Sequence, residues 1–109
     1  MVKPSGEESL LVQAVLNQSR IKIIEAILNN PLNVSQISKK VNLDRSTVVY
    51  HLGLLSKVGL VDEETKPVKT AHSTGVMGRY FSVNEDTLKQ AVKLVNEQMT
   101  ELTPEWPQK

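Results

Sequence analysis

Hydrophobic positions repeat at helical spacing along most of this chain. The segment from Glu7 to Asn17 is predicted to be a helix, because acidic residues occupy its first turn and apolar residues share one face. A second helix follows Ser19, its candidate N-cap, and ends at Asn29-Asn30-Pro31, since proline disfavours helix at the preceding residue. The two apolar stripes are Leu10, Leu11, Ala14 and Val15 in the first helix, and Ile21, Ile24 and Leu28, widened by Ile23 and Ile27, in the second.

Two short helices at close spacing are predicted in the middle of the chain. Ser35 is the candidate N-cap of the first, and Asp44 caps a second helix that runs to about Val58. Gly59 then stands where the C′ glycine of a helix belongs. Two helices joined by about three or four residues, with the second well capped, are typical of a helix-turn-helix.

The pattern changes from helical to strand-like after this pair. A strand is predicted to start at Leu60 and Val61, and a second one covers Tyr80-Phe81-Ser82-Val83, so that the two form a hairpin with a long tip. Asn84 caps a last helix from Glu85 to about Leu102. The order of elements predicts a mainly α chain with a small β-hairpin wing: a winged helix-turn-helix with an extra helix at each end.

Composition narrows the class of protein without pointing to nucleic acid. Apolar residues make up 39% of the 109 residues, charged residues 23%, and the net charge is +1, so bulk charge gives no argument for a polyanionic partner. There is no cysteine, which excludes disulfides and thiolate chemistry. No apolar stretch is long enough for a membrane span or a signal peptide, which predicts a cytoplasmic protein with no membrane partner. We expect one domain over 1–109, with a flexible start over 1–6 and a tail over 103–109.

The second helix of the central pair, over about 44–58, has two contrasting sides at roughly 100° per residue. Its apolar side consists of Val48, His51, Leu52, Leu55 and Val58. Its opposite side consists of Ser46, Tyr50, Gly53 and Lys57, with Val49 beside them.

Several residues of this opposite side suit contact with DNA. Hydroxyls reach phosphates or base edges, Val49 can pack on a thymine methyl, and Arg45 in the first turn can reach guanine. Gly53 costs about 1 kcal/mol of helix stability against alanine, which indicates close approach of another backbone. A merely solvated face is the alternative. We favour DNA contact because the face is nearly free of acidic residues.

The segments 34–41, 43–52 and 58–61, together with Gly78-Arg79-Tyr80-Phe81, resemble the ArsR-type winged-helix transcription regulators. The likeness covers about Leu10 to Leu102. It implies a homodimeric DNA-binding regulator in which the terminal helices form the dimer contact. Metal-sensing members of that family use a Cys-x-Cys pair or Asp, His and Glu ligands on the last helix. This chain has no cysteine and its last helix has no histidine, so neither a metal nor another cofactor is predicted.

The two histidines and the wing complete the candidate chemistry. His51 is interpreted as a packed residue, whereas His72 in the wing is either a phosphate or minor-groove contact or simply exposed. No catalytic arrangement of side chains is found, so an enzyme is not expected. The wing carries Lys66, Lys69 and Arg79, which we expect on the DNA backbone or in the minor groove, with the preceding acidic run 62–64 placed away from the duplex.

The last helix carries apolar residues at alternating spacings of four and three, a heptad-like seam. We expect this seam and part of the first helix, within 7–18 and 85–102, to form a homodimer contact rather than to stay exposed. The predicted dimer residues are Leu11, Val15, Leu88, Val92, Val95, Met99 and Leu102.

The sequence therefore predicts a homodimeric, sequence-specific regulator of transcription that binds double-stranded DNA. The wing is expected to span about 60–83. Two alternatives stay open, namely a winged helix used for protein contact in a transcription assembly and a MarR-type regulator that responds to a small molecule; no effector is identified. The predicted DNA-binding residues are Ser35, Arg45, Ser46, Thr47, Val49, Tyr50, Lys57, Lys66, Lys69, His72 and Arg79.

Overall fold

A computed structural model describes residues 6–67 and 76–102 and shows five helices and a three-stranded antiparallel sheet of order β1-β3-β2. This confirms the predicted fold class. The expected tail, the hairpin tip and, except for Gly6, the expected flexible start lie outside the described residues. The elements are α1 (Gly6–Val15), α2 (Gln18–Ile27), β1 (Leu32–Asn33), α3 (Val34–Val41), α4 (Arg45–Lys57), β2 (Val61–Pro67), β3 (Met77–Val83) and α5 (Glu85–Leu102).

The start of α2 differs from the prediction. Asn17, not Ser19, is the N-cap, because its extended backbone lets its side-chain oxygen accept from the backbone N–H of Arg20 at 3.0 Å. The buried stripe is also rotated. Ile23 and Ile27 are fully buried, whereas the expected members Ile21 and Leu28 are 43% and 40% exposed.

The buried face of α1 is likewise shifted by a residue or two. Leu10, expected to face inward, is 53% exposed, and Val12 is buried in its place beside Leu11 and Ala14. This helix offers more apolar residues than the core can cover, so a stripe alone does not say which of them are buried.

A capping box begins α3, and its cap is Asn33 rather than the predicted Ser35. The Asn33 side chain accepts from the Gln36 backbone N–H, and the Gln36 side chain accepts from the Asn33 backbone N–H, both at 2.9 Å. Asn33 also belongs to β1, where Leu32 pairs with Phe81 and Asn33 with Tyr80. The sequence does not predict this strand, because two residues are too few to show an alternating pattern.

The predicted bounds of the last central helix are confirmed. Asp44 caps α4, the helix ends at Lys57 with Val58 as C-cap, and Gly59 follows with a φ of +81°. That left-handed conformation favours glycine and turns the chain so that the Leu60 backbone N–H donates to the Leu55 carbonyl at 2.9 Å. The largest fully buried side chains are Ile23, Ile27, Ile37, Leu55, Leu60 and Val48.

The predicted seam of α5 is divided between the core and the surface. Leu88 and Val95 of the seam pack partly against the core, because α5 lies against α1. They lie beside Ala91 and Leu94, which are buried but do not belong to the predicted seam. The remaining seam residues are exposed, at 51% for Val92, 52% for Met99 and 75% for Leu102.

The structure also corrects the predicted contribution of α1 to this surface. Leu11 is only 5% exposed and belongs to the core of its own chain, and Val15 packs partly against it. Leu11 therefore cannot reach a second copy without leaving the core. Within 6–67 and 76–102, none of the helices combines the length and the apolar character needed to cross a bilayer.

Candidate nucleic-acid interface

Asp44 organises the N-terminus of α4. Its carboxylate accepts from the Thr47 backbone N–H at 3.3 Å, from the Thr47 hydroxyl at 2.5 Å and from the Ser46 hydroxyl. The hydrogen bonds from Ser46 and Thr47 lower the pKa of Asp44 to about 2. Both hydroxyl hydrogens are thus used inside the cap, whereas the sequence prediction assigned these two residues to DNA.

The predicted division of α4 into a buried and an exposed face is confirmed. Leu52 is 2% exposed, whereas Val49 and Tyr50 are 49% and 63% exposed, and Arg45 is exposed in the first turn. The helix itself contains no acidic residue. This exposed face presents the guanidinium of Arg45, the phenol of Tyr50 and the isopropyl group of Val49. Hydrogen-bond donors and apolar groups of this kind can contact base edges in a major groove.

Gly53 lies on the exposed face, and a Cβ built there would meet no neighbouring atom of residues 6–67 and 76–102 within 4 Å. Among the described residues no backbone makes the close approach that Gly53 predicts, so an approach by another molecule stays a prediction. The space beside Gly53 faces outward, next to a shallow groove between α4 and the sheet that also includes Val49, Glu63 and Arg79.

Arg20 ties three helices together, a role that the sequence pattern does not reveal. Its guanidinium donates to the carbonyls of Ala14 at 2.6 Å and Gln13 at 3.2 Å, and lies 3.3 Å from His51 Nδ1 on the buried side of α4. Burial first, and the Arg20 charge second, lower the pKa of His51, so the imidazole is neutral at neutral pH. His51 is 9% exposed, and its prediction as a packed residue is confirmed.

The two wing cations within the described residues are both paired with carboxylates of β2. Arg79 Nη2 lies 2.5 Å from Glu63 Oε1, and Lys66 Nζ lies 3.5 Å from Glu64 Oε2. Two residues of the acidic run thus contact the wing cations directly, and the expected placement of the run away from the duplex stays a prediction. The antiparallel register and the alternation along the strand put each acidic side chain on the same face as its cation, two residues along the ladder.

The other predicted DNA-binding residues are more scattered. Ser35 is half-buried in the first turn of α3, and Lys57 is exposed at the far end of α4. Lys69 and His72 lie outside the described residues. Across the described part of the chain, no group of three His, Cys, Asp or Glu side chains could hold a metal ion.

Comparison with known proteins shows which proteins this chain is similar to. The family model described as bacterial regulatory protein, arsR family, matches residues 17–63, from the cap of α2 to the start of β2. The transcriptional activator HlyU of Vibrio cholerae is 34% identical over 62 residues, and the aligned part spans 57% of this chain and 57% of that relative.

Two solved structures extend the likeness to most of the chain. The transcriptional regulator HlyU from Vibrio vulnificus is 26% identical, with a TM-score of 0.58 over 83% of this chain and 84% of that one. A homodimeric winged helix-turn-helix DNA-binding domain from Mycobacterium bovis, a possible ArsR-family regulator, is 16% identical, with a TM-score of 0.63 over 100% of both chains, and supports the fold alone.

The arrangement of α3, α4 and the β2–β3 hairpin defines a winged helix-turn-helix protein. Within this fold class, the central part of the chain is similar in sequence to the arsR family of bacterial regulatory proteins and to HlyU. The two HlyU relatives are named a transcriptional activator and a transcriptional regulator.

Proposed function

We propose that this protein is a transcriptional regulator of the cytoplasm that binds double-stranded DNA sequence-specifically as a homodimer. In this proposal α4 enters the major groove, and the β2–β3 hairpin lies on the backbone or in the minor groove. One observation carries it: the second helix of a helix-turn-helix has one face locked in the core and an opposite face that is exposed and free of acidic residues.

The residues assigned to base contact are Arg45, Val49 and Tyr50, since all three are exposed near the start of α4. Backbone contact is assigned to Lys66 and Arg79. Ser46 and Thr47 are assigned to the cap, because their hydroxyls donate to Asp44. For Ser35, Lys57, Lys69 and His72 the contact with DNA stays a prediction from sequence.

A homodimer is proposed because one half-site reads only a few base pairs. The apolar side chains exposed on α5, among them Val92 and Leu102, would be covered by a second copy. The M. bovis domain, which has the same fold, is described as homodimeric, and this supports self-association without indicating the contact surface.

Selection of binding sites from a random-sequence duplex pool tests the DNA proposal. We expect enrichment of a two-fold symmetric site, and a loss of about 1–3 kcal/mol of specific binding free energy for Arg45→Ala and for Tyr50→Ala. Lys89→Ala is the matched control, because it removes an exposed cation from α5. A pool that shows no enrichment, or variants that bind the selected site as tightly as the parent, would contradict the proposal.

Sedimentation of Val92→Glu tests the dimer. The new charge would face its symmetry mate in a buried contact, so we expect a monomer where the parent is a dimer. Gln90→Glu adds the same charge at an exposed position on the opposite side of α5 and should remain dimeric. A parent that sediments as a monomer, or a Val92→Glu dimer, would show that this surface does not mediate assembly.

A further inference from the structure

We propose that Glu63 is an internal counter-ion that occupies Arg79 in the free protein and thereby limits the affinity of the wing for DNA. The inference rests on the proposed function. It assigns to an acidic residue of β2 the role of a built-in competitor for phosphate.

The contact itself is close and directional. Arg79 Nη2 donates to Glu63 Oε1 at 2.5 Å, and the guanidinium lies 5.6 Å from the centre of the Phe81 ring. The hydrogen bond from Arg79 lowers the pKa of Glu63, so the carboxylate is charged at neutral pH. A carboxylate and a phosphodiester each offer a guanidinium two negatively charged oxygen acceptors, so one can replace the other.

The position of the pair puts it beside the proposed interface. Glu63 and Arg79 line the shallow groove in which Val49 and Gly53 of α4 also lie. A phosphate that approaches this side of α4 therefore meets a neutral pair rather than a free cation. The two side chains are 39% and 63% exposed, so their ion pair is weak enough for DNA to open it.

The neighbouring acidic residues provide an internal contrast. Glu64 pairs with Lys66 at 3.5 Å, a longer contact on the other face of the hairpin. Asp62, on the same strand, is exposed and takes part in neither of the two ion pairs. Removal of the charge of Asp62 changes net charge by the same amount as removal of that of Glu63, without releasing Arg79.

Binding of Glu63→Gln to a mixed-sequence duplex, followed by fluorescence anisotropy over a range of salt, tests the inference. A mixed sequence suffices because phosphate contacts are independent of sequence. We expect Glu63→Gln to bind at least about threefold more tightly than the parent at low salt. Its plot of log K against log salt should be steeper by up to about 0.9 per subunit.

A second pair of variants separates the release of Arg79 from a general change in charge. In an Arg79→Gln background, Glu63→Gln should give no gain beyond that of Asp62→Asn. If the gain of Glu63→Gln equals that of Asp62→Asn, or persists without Arg79, the role of Glu63 as a counter-ion is refuted while DNA binding stands. A parent that fails to bind any duplex at low salt refutes the proposed function and this inference together.

Discussion

Helix α4 and the β2–β3 hairpin both belong to the proposed DNA surface, but their charged residues differ in whether an opposite charge is paired with them. The exposed face of α4 presents Arg45 with no acidic residue in the helix, and the cap carboxylate of Asp44 is taken up by hydrogen bonds from its own turn. On the hairpin, Lys66 and Arg79 each face a glutamate of β2. This contrast predicts that the cation of α4 is available to DNA without competition from an acidic residue of its helix. The wing, in turn, should add less to the DNA-binding affinity than its number of cations suggests.

The two faces of α4 itself should respond to truncation in opposite ways. Leu55 is fully buried, so we expect Leu55→Ala to lower the free energy of unfolding by about 2–5 kcal/mol. Val49→Ala, on the half-exposed side, should change stability by only about 0.5 kcal/mol and instead weaken DNA binding. Urea unfolding followed by circular dichroism measures both values. Equal losses of stability would mean that Val49 belongs to the core.

Neutralisation of the wing lysines tests how much the hairpin contributes to the salt dependence of DNA binding. For Lys66→Gln with Lys69→Gln, the slope of log K against log salt should become shallower by roughly 0.9 for each phosphate that a subunit no longer neutralises. Lys66→Gln alone should change it by less, because Glu64 already offsets that charge. A full change from Lys66→Gln alone would show that its pairing with Glu64 does not persist on DNA, and an unchanged slope in the double variant would remove both lysines from the DNA surface.

Substitution of Gly53 is expected to raise the stability of the protein and to lower its affinity for DNA. Because a Cβ at this position meets no neighbour within 4 Å in the described part of the chain, Gly53→Ala should raise the free energy of unfolding by about 1 kcal/mol through helix propensity. We expect the same variant to bind duplex DNA less tightly, since the added methyl group would occupy the space that the nucleic-acid backbone approaches. Unchanged affinity would place the duplex elsewhere.

Much of α4 could be predicted from sequence, whereas the wing contacts could not. Helix periodicity is local, so the burial of Leu52 and the exposure of Tyr50 follow from spacing alone. The pairing of Glu63 with Arg79 depends on strand register across an intervening tip, which a single sequence does not specify. The capping box at Asn33 and Gln36 has a spacing that is visible in the sequence, but Ser35 is an equally good cap by residue type and competes with Asn33 for that role.

The smallest expected effect concerns Arg20 and His51. The pKa of His51 is lowered in the folded chain from 6.5, so the unfolded chain takes up the proton first, and stability should fall as pH decreases below about 6.5. His51→Gln keeps an acceptor for Arg20 but does not titrate. Its unfolding free energy should therefore depend less on pH between about 7.5 and 5.5 than that of the parent. If the unfolding free energies of parent and variant depend on pH identically, the pKa of His51 is the same in the folded and the unfolded chain.

Protection of guanine N7 from dimethyl sulfate on a selected site tests the central claim, that α4 reads the major groove as part of a homodimer. N7 lies in the major groove, so an inserted helix shields it. The account predicts two protected patches related by two-fold symmetry, with centres about one helical turn or a multiple of it apart, and weaker protection of both patches in Tyr50→Ala at a protein concentration that just saturates the parent. A single patch, or a bound duplex whose major-groove N7 atoms remain fully reactive, would contradict it.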